Sequence, residues 1–249
     1  MYKMVILDLD GTLLNSDKNI SEYTLNTIKE LSGKVKFVLA SARAYITIKP
    51  YVEQLDLLNN NNYTIAFNGS LIVDNLENVV IDEEISNREK HLLQQYINNN
   101  YQVEWHYYTY NENILINDIL DIYSFIDKNE IYKIVCIATE YEIMKMRNNM
   151  PQDINNLFEI TSSEPTRIEF VKKGMKKIKA IKLLLDKLKI DPSEVIAIGD
   201  GENDIDMIKL VGCGVAMGNA MDDVKLVADI ITDTNDNNGV AKILKKLIK

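Results

Sequence analysis

Cysteine is nearly absent. The 249 residues contain two, Cys136 and Cys213, both inside apolar segments and far apart. That count excludes a disulfide framework and fits a reducing compartment, so both are read as core thiols. Histidine is equally scarce: His91 and His106 are the only two, neither has a partner at ligand spacing, and a zinc centre is unexpected. Positive charge is short as well. With 28 Lys and Arg against 37 Asp and Glu, the net charge is -9 and the sequence pI near 4.9, so there is no basic footprint for nucleic acid or an anionic membrane. Any phosphate group bound here has to be held by local groups. No apolar stretch reaches the ~20 residues of a membrane span, and Asp8 and Asp10 interrupt the N-terminal apolar run too early for a signal peptide. These absences predict a cytoplasmic protein. There is no internal repeat, and the asparagine runs Asn59 to Asn62 and Asn98 to Asn100 are read as compositional bias.

What remains is 46% hydrophobic and 26% charged, enough for one large domain or two smaller ones. Met4 to Leu7 is a short apolar run that ends in Asp8-Leu9-Asp10-Gly11-Thr12, two carboxylates at a strand mouth followed by a glycine turn. Buried carboxylates need a cation, hydrogen-bond donors or a raised pKa, which makes a metal or proton-transfer site the first expectation.

Along the chain the pattern alternates. Ser21 caps a helix with Leu25, Ile28 and Leu31 at helical spacing; Val35 to Ala40 is a strand ending at Ser41-Ala42-Arg43; a further helix holds Ile46, Ile48, Tyr51, Val52 and Leu55. Tyr63 to Phe67 ends at Asn68-Gly69, and Leu71 to Val73 with Val79 to Ile81 reads as a hairpin. The rhythm then changes. A capping box at Ser86 and Glu89 opens a helix, and strands follow over Tyr101 to Tyr110, Ile131 to Ala138, Leu157 to Thr161 and Arg167 to Val171, with a helix near Glu140 to Asn149 stopped by Pro151 and a polar stretch between Tyr110 and Ile131. This section reads as an inserted α+β domain over 83–171. The aromatic alternation at Tyr101, Trp105, Tyr107, Tyr108 and Tyr110 is read as packing. After it, Lys177 to Leu188 is helical, Val195 to Ile198 runs into Gly199-Asp200-Gly201-Glu202-Asn203-Asp204, and Cys213 to Met217, Ala228 to Thr232 and a helix from Gly239 complete the layer. Residues 1–82 and 172–249 thus predict one α/β domain, a Rossmann-like, doubly wound parallel sheet interrupted by the insert.

Parallel strands would gather Asp8 and Asp10, Ser41, Asn68, and Asp200 with Asp204 at one sheet edge. Oxygen ligands without His or Cys favour Mg²⁺ over zinc, and the Ser41 hydroxyl with an ammonium from Lys176 or Lys177 would suit phosphoryl oxygens. A calcium loop is excluded at Asp8 by its glycine and glutamate spacing, and Asp233 to Gly239 fails the same test and is read as a loop before the last helix.

These motifs resemble the haloacid dehalogenase-like phosphatases, in particular the Cof-type branch with an α/β cap. Asp8-Leu9-Asp10-Gly11-Thr12 is similar to the first family motif, Ser41-Ala42-Arg43 to the second, Lys177 to the third and Gly199 to Asp204 to the fourth; Gly214 to Ala220 adds to the likeness. Two positions depart from the family pattern, Ala42 and Ile178, each standing where glycine is common. The resemblance implies that Asp8 is a nucleophile forming an aspartyl-phosphate and that Asp10 protonates the leaving alcohol and then deprotonates water. It also implies Mg²⁺ on the Asp8 carboxylate, the Asp10 backbone carbonyl and Asp200, with Asp204 either ligating directly or orienting the other ligands, and with Ser41, Lys177 and Asn203 on the phosphoryl oxygens. Arg43 and Asn68 are carried over as site-lining residues, Arg43 on the substrate phosphate. The implied activity is a phosphomonoesterase acting on a small phosphate ester, sugar phosphates preferred, with the insert closing over the substrate. A phosphomutase of the phosphomannomutase type shares this core. A phospho-acceptor signalling domain shares Asp, Mg²⁺, Ser and Lys, but Asp10 speaks against it.

Overall fold

The computed structural model describes residues 1–58, 62–116, 119–162 and 164–248; of the asparagine run 59–62, only Asn62 lies within the described residues. The chain forms two compact units, one of Met1–Arg43, Thr47–Ile81 and Lys176–Lys249, the other of Ala44–Ile46 and Asp82–Met175.

The first unit begins with β1 (Met4–Leu7), in which every residue is buried. Helix α1 (Glu22–Leu31) follows, its N-terminus capped by the Ser21 side chain accepting from the Thr24 N–H and its buried stripe carrying Ile28 and Leu31. Then come β2 (Lys36–Ala40), α2 (Tyr45–Gln54), β3 (Tyr63–Ala66), β4 (Leu71–Asp74) and β5 (Val79–Asp82). The intervening unit contributes α3 (Asn87–Asn100), β6 (Glu104–Tyr108), β7 (Asn113–Ile116), α4 (Ile119–Lys128), β8 (Lys133–Ile137), α5 (Glu140–Asn148), α6 (Gln152–Leu157), β9 (Phe158–Thr161) and β10 (Arg167–Lys172). The first unit then resumes with α7 (Lys177–Leu188), β11 (Val195–Gly199), α8 (Ile205–Leu210), β12 (Cys213–Ala216), α9 (Asp222–Val227), β13 (Ile230–Ile231) and α10 (Gly239–Leu247).

Among the described residues the first sheet has the order β13-β12-β11-β1-β2-β3-β4-β5. From β13 to β3 all neighbours are parallel, and β4 turns back antiparallel to β3. Strand β1 lies between β2 and β11, with Leu7 opposite both Leu39 and Ile198. A strand buried on both faces needs a continuous apolar run, which is what Met4 to Leu7 supplies. The alternating βα pattern therefore does yield the expected parallel α/β sheet.

The second sheet, β7-β6-β8-β10-β9, is antiparallel in its paired strands. Trp105, Tyr107, Ile134, Cys136 and Phe170 are buried in its core with Leu93 and Ile97 of α3, so Trp105 and Tyr107 pack as their alternation indicated. Five elements escaped the sequence pattern: β7, α4, α6, α8 and α9. The stretch between Tyr110 and Ile131, read as polar, holds β7 and α4, because Ile122 and Ile126 meet the core one helical turn apart. Pro151 ends α5 as expected but also caps the short α6, which buries only Ile154. Both cysteines are free and buried, and no helix among the described residues is long and apolar enough to cross a membrane.

Two local features differ in their contribution to stability. Ser86 and Glu89 form a reciprocal capping box on α3, whereas a Cβ at Gly214 would press on the Ile208 carbonyl inside the first unit. We expect Ser86→Ala to cost about 1 kcal/mol and Gly214→Ala about 1–3 kcal/mol, read as shifts in urea midpoints. The reverse order would overturn this account of the packing.

Candidate active site

The parallel strands end together, and polar residues follow each. Asp8 comes directly after β1, Ser41 after β2 and Asp200 after β11, while Asn68 lies two residues past β3. The Asp8 backbone N–H donates to the Ile198 carbonyl at 3.0 Å, so the ladder extends one residue and delivers the carboxylate at the sheet edge.

Asp8, Lys177 and Asp204 are all buried. Lys177, the first residue of α7, donates through Nζ to Asp8 Oδ1 at 2.5 Å and to Asp204 Oδ1 at 2.9 Å. Of the two lysines, Lys177 therefore faces the acidic cluster, while Lys176 is exposed at the N-cap. The other oxygen of Asp204 accepts from the backbone N–H groups of Asp200 and Gly201, both at 3.1 Å. Asp204 is thus engaged on both oxygens. Asp200 accepts from the Thr12 hydroxyl at 2.7 Å, and Gly11, at φ +79°, lies so near that any Cβ would strike the Asp200 carboxylate.

Three carboxylates here share one ammonium. Burial, together with the negative charges of Asp204 and Asp200, outweighs Lys177 and pushes the Asp8 carboxyl up to about 7. Asp200 is raised by burial and by Asp204, against the lowering effect of the Thr12 hydroxyl. Burial works against the charge on Lys177, but Asp8 and Asp204 hold it protonated. Asp8, Asp200 and Asp204 each present an oxygen within 4.8 Å of the others. A hard divalent cation fits this donor set in chemistry and charge, because all the donors are carboxylate oxygens and the negative charge is under-compensated.

The remaining sequence-derived residues divide. Asp10 is turned toward cations: Arg43 Nε reaches Oδ2 at 2.7 Å and Nη2 reaches Oδ1 at 2.6 Å, with Lys18 Nζ on Oδ1 at 2.7 Å. Partial burial raises its pKa, but the hydrogen bonds and charges of Arg43 and Lys18 prevail and hold it below the usual carboxylate range. Arg43, expected on a phosphate, thus meets Asp10. Ser41 is buried, and its Oγ accepts from the Arg43 backbone N–H at 3.1 Å. Asn68 sits at φ 56° with a buried Oδ1 that has no hydrogen-bond partner among the described residues. Asn203 is exposed on the acidic turn, apart from the hydrogen-bonded cluster. His91 and His106 pair with Asp127 and Glu104 in the second unit.

Four contributors were not foreseen. Thr12 and Asn219 lie inside the family-like motifs, which by themselves give neither a role; the Asn219 carboxamide donates to the Gly11 carbonyl at 2.8 Å. Lys18 and Tyr51 have no local signal at all, since only the folded loop and helix bring them to Asp10 and Arg43.

A family model described as haloacid dehalogenase-like hydrolase matches residues 5–244. A 5-amino-6-(5-phospho-D-ribitylamino)uracil phosphatase of Bacillus subtilis, YcsE, is 34% identical over 249 residues, spanning 98% of this chain and 94% of that protein. A crystal structure of a haloacid dehalogenase-like hydrolase from Bacteroides thetaiotaomicron is similar with TM-score 0.89 and 29% identity, covering 100% of both chains. The crystal structure of TM0651 from Thermotoga maritima is similar with TM-score 0.92 and 27% identity, covering 100% of this chain and 98% of that one.

Removing one partner of a buried charge pair leaves the other uncompensated. Lys177→Met should lower the unfolding free energy by about 3–5 kcal/mol in chelator-treated protein, and adding Asp8→Asn should recover part of the loss. Equal stability of wild type and Lys177→Met in urea titrations would refute the electrostatic account.

Proposed function

This chain belongs to the haloacid dehalogenase-like hydrolases and is a phosphatase of that family, and we propose that it is a Mg²⁺-dependent phosphomonoesterase working through an aspartyl-phosphate. The observation that carries the proposal is Asp8, a buried carboxylate at the mouth of the central strand, held on one oxygen by Lys177 and leaving Oδ2 without a hydrogen bond among the described residues. A carboxylate held on one side has a directed free oxygen, which a nucleophile requires.

In the first step the free Asp8 oxygen bonds to phosphorus, the bond from phosphorus to the alcohol oxygen breaks, and Asp10 gives that oxygen a proton. In the second, water attacks the same phosphorus, Asp10 takes a proton from the water, and the Asp8 carboxylate leaves. The proton gained in the second step is then on hand for the next turnover. Lys177 has three N–H groups, two of them on Asp8 and Asp204; the third, with the Ser41 hydroxyl and Asn203, is assigned to the phosphoryl oxygens. Asp8, Asp200 and the Asp10 backbone carbonyl would hold Mg²⁺, with Asp204 orienting Lys177 and the turn that carries Asp200. When bound, the cation neutralises phosphoryl charge that would otherwise repel the Asp8 carboxylate.

For the substrate we favour small phosphorylated metabolites, sugar phosphates first. The relative named for a phosphorylated ribityl compound supports a phosphate ester on a polyhydroxy chain. The chemistry just described draws on no residue of the inserted unit, to which we assign the choice of alcohol. We place the protein in the cytoplasm on its cysteine content.

Asp8→Asn should abolish Mg²⁺-dependent release of phosphate from para-nitrophenyl phosphate. Chelation should silence the wild type, and Mg²⁺ should restore it. A panel of sugar, nucleotide and cofactor phosphates, including the ribityl ester, then ranks the substrates. Undiminished turnover by Asp8→Asn would sink the assignment of the nucleophile.

A further inference from the structure

The Asp10 carboxylate belongs to a closed ring. Arg43 grips both of its oxygens and Lys18 Nζ reaches Oδ1. Tyr51 closes the circuit on the far side: its hydroxyl accepts from Arg43 Nη1 at 3.4 Å and donates to the Lys18 backbone carbonyl at 3.2 Å. The guanidinium carbon also lies 5.6 Å from the Tyr51 ring centroid. Lys18 is itself placed by its loop. It sits at φ 61°, and Asn15 Oδ1 accepts from the backbone N–H groups of Asp17 and Asn19 on either side of it.

This ring is poorly suited to stabilising the fold. The side chains of Asp10, Lys18 and Arg43 are 41%, 59% and 25% exposed, and ion pairs so open to solvent contribute little. What the ring does define is direction. Each carboxylate oxygen has two lone-pair sites. Among the described residues, Oδ1 accepts from Arg43 Nη2 and Lys18 Nζ, whereas Oδ2 accepts only from Arg43 Nε, so one site on Oδ2 is left for a travelling proton.

We propose that Lys18 and Tyr51 are positioning residues for proton transfer at Asp10, closing the ring through Arg43 so that the one open lone pair of Oδ2 carries the proton to the departing alcohol. The inference rests on the reading of Asp10 given above. In the step it serves, the Oδ2–H bond breaks as the H–O bond of the alcohol forms. The electron pair of the P–O(alcohol) bond goes to that oxygen, and the Asp8–phosphorus bond forms. Loss of Lys18 opens a second proton site on Oδ1, and loss of the Tyr51 hydroxyl frees the guanidinium to turn.

The signature is dependence on the leaving group. A good leaving group departs without a proton and a poor one needs it, and kcat/KM reports the step in which it departs. We would compare phenyl phosphate, the poorer case, with para-nitrophenyl phosphate. Asp10→Asn should lose on the order of 10²-fold or more on phenyl phosphate and far less on the nitrophenyl ester. Lys18→Met and Tyr51→Phe should each show the same selective loss at about 10-fold, a fraction of the full acid contribution, and Lys18→Arg should restore most of it. Unchanged melting temperatures would separate these effects from unfolding. If Asp10→Asn is selective but Lys18→Met and Tyr51→Phe lose equally on both esters, lose nothing or gain activity, the ring has no positioning role. If Asp10→Asn itself loses equally on both esters, the reading of Asp10 as proton donor fails instead.

Discussion

A single buried ammonium makes the acidic mouth of the sheet tenable. Lys177 joins Asp8 after β1 to Asp204 beyond β11, and without it the converging carboxylates would have to protonate or move apart. Its own position is set by the turn after β3. Gly69, at φ +108°, lies so close to the start of α7 that a Cβ there would come within 2.8 Å of the Lys176 carbonyl. A glycine in the β3–β4 turn thus permits the close approach of the helix start that carries Lys177.

Four aspartates of identical chemistry are made unequal by their partners alone. Asp204 is engaged on both oxygens, Asp200 by one hydroxyl, Asp8 by one ammonium, and Asp10 by two cations. The consequence is electrostatic: burial and like charge raise Asp8, while Arg43 and Lys18 lower Asp10. Two carboxylates one residue apart along the chain therefore lie on opposite sides of the ordinary value.

Much of this could be read from the chain because the core strands are buried on both faces and their ends coincide with polar residues. The runs Met4 to Leu7 and Val195 to Ile198 read as buried strands, and the caps at Ser21 and Ser86 marked their helices through local hydrogen bonds. Elements stabilised by tertiary contact were harder to find. Helix α4 mixes Ile122 and Ile126 with Asp127 and Lys128, and α6 buries one side chain. At the site, residue types and strand ends brought out Asp8, Asp200 and Asp204 but left Lys176 and Lys177 open, and the family resemblance pointed to Lys177. The orientation of Arg43 toward Asp10 depends on side-chain geometry that no spacing encodes. The segment Asp233 to Gly239 illustrates the same limit: its alternating polar residues fit no calcium loop, and in the fold Asn235 and Asp236 tie down Leu14 and Ser16 of the loop after β1.

The pairing of β1 with β11 sets an order of events during synthesis. The central strand is made first, but its partner on one side, Val195–Gly199, emerges only after the whole second unit has been translated. Until then one edge of this fully buried strand has no ladder to join. Local contacts form ahead of such distant pairings, so the acidic cluster is among the last features the nascent chain assembles, and a truncated product ending before β11 carries Asp8 and Lys177 but lacks Asp200 and Asp204.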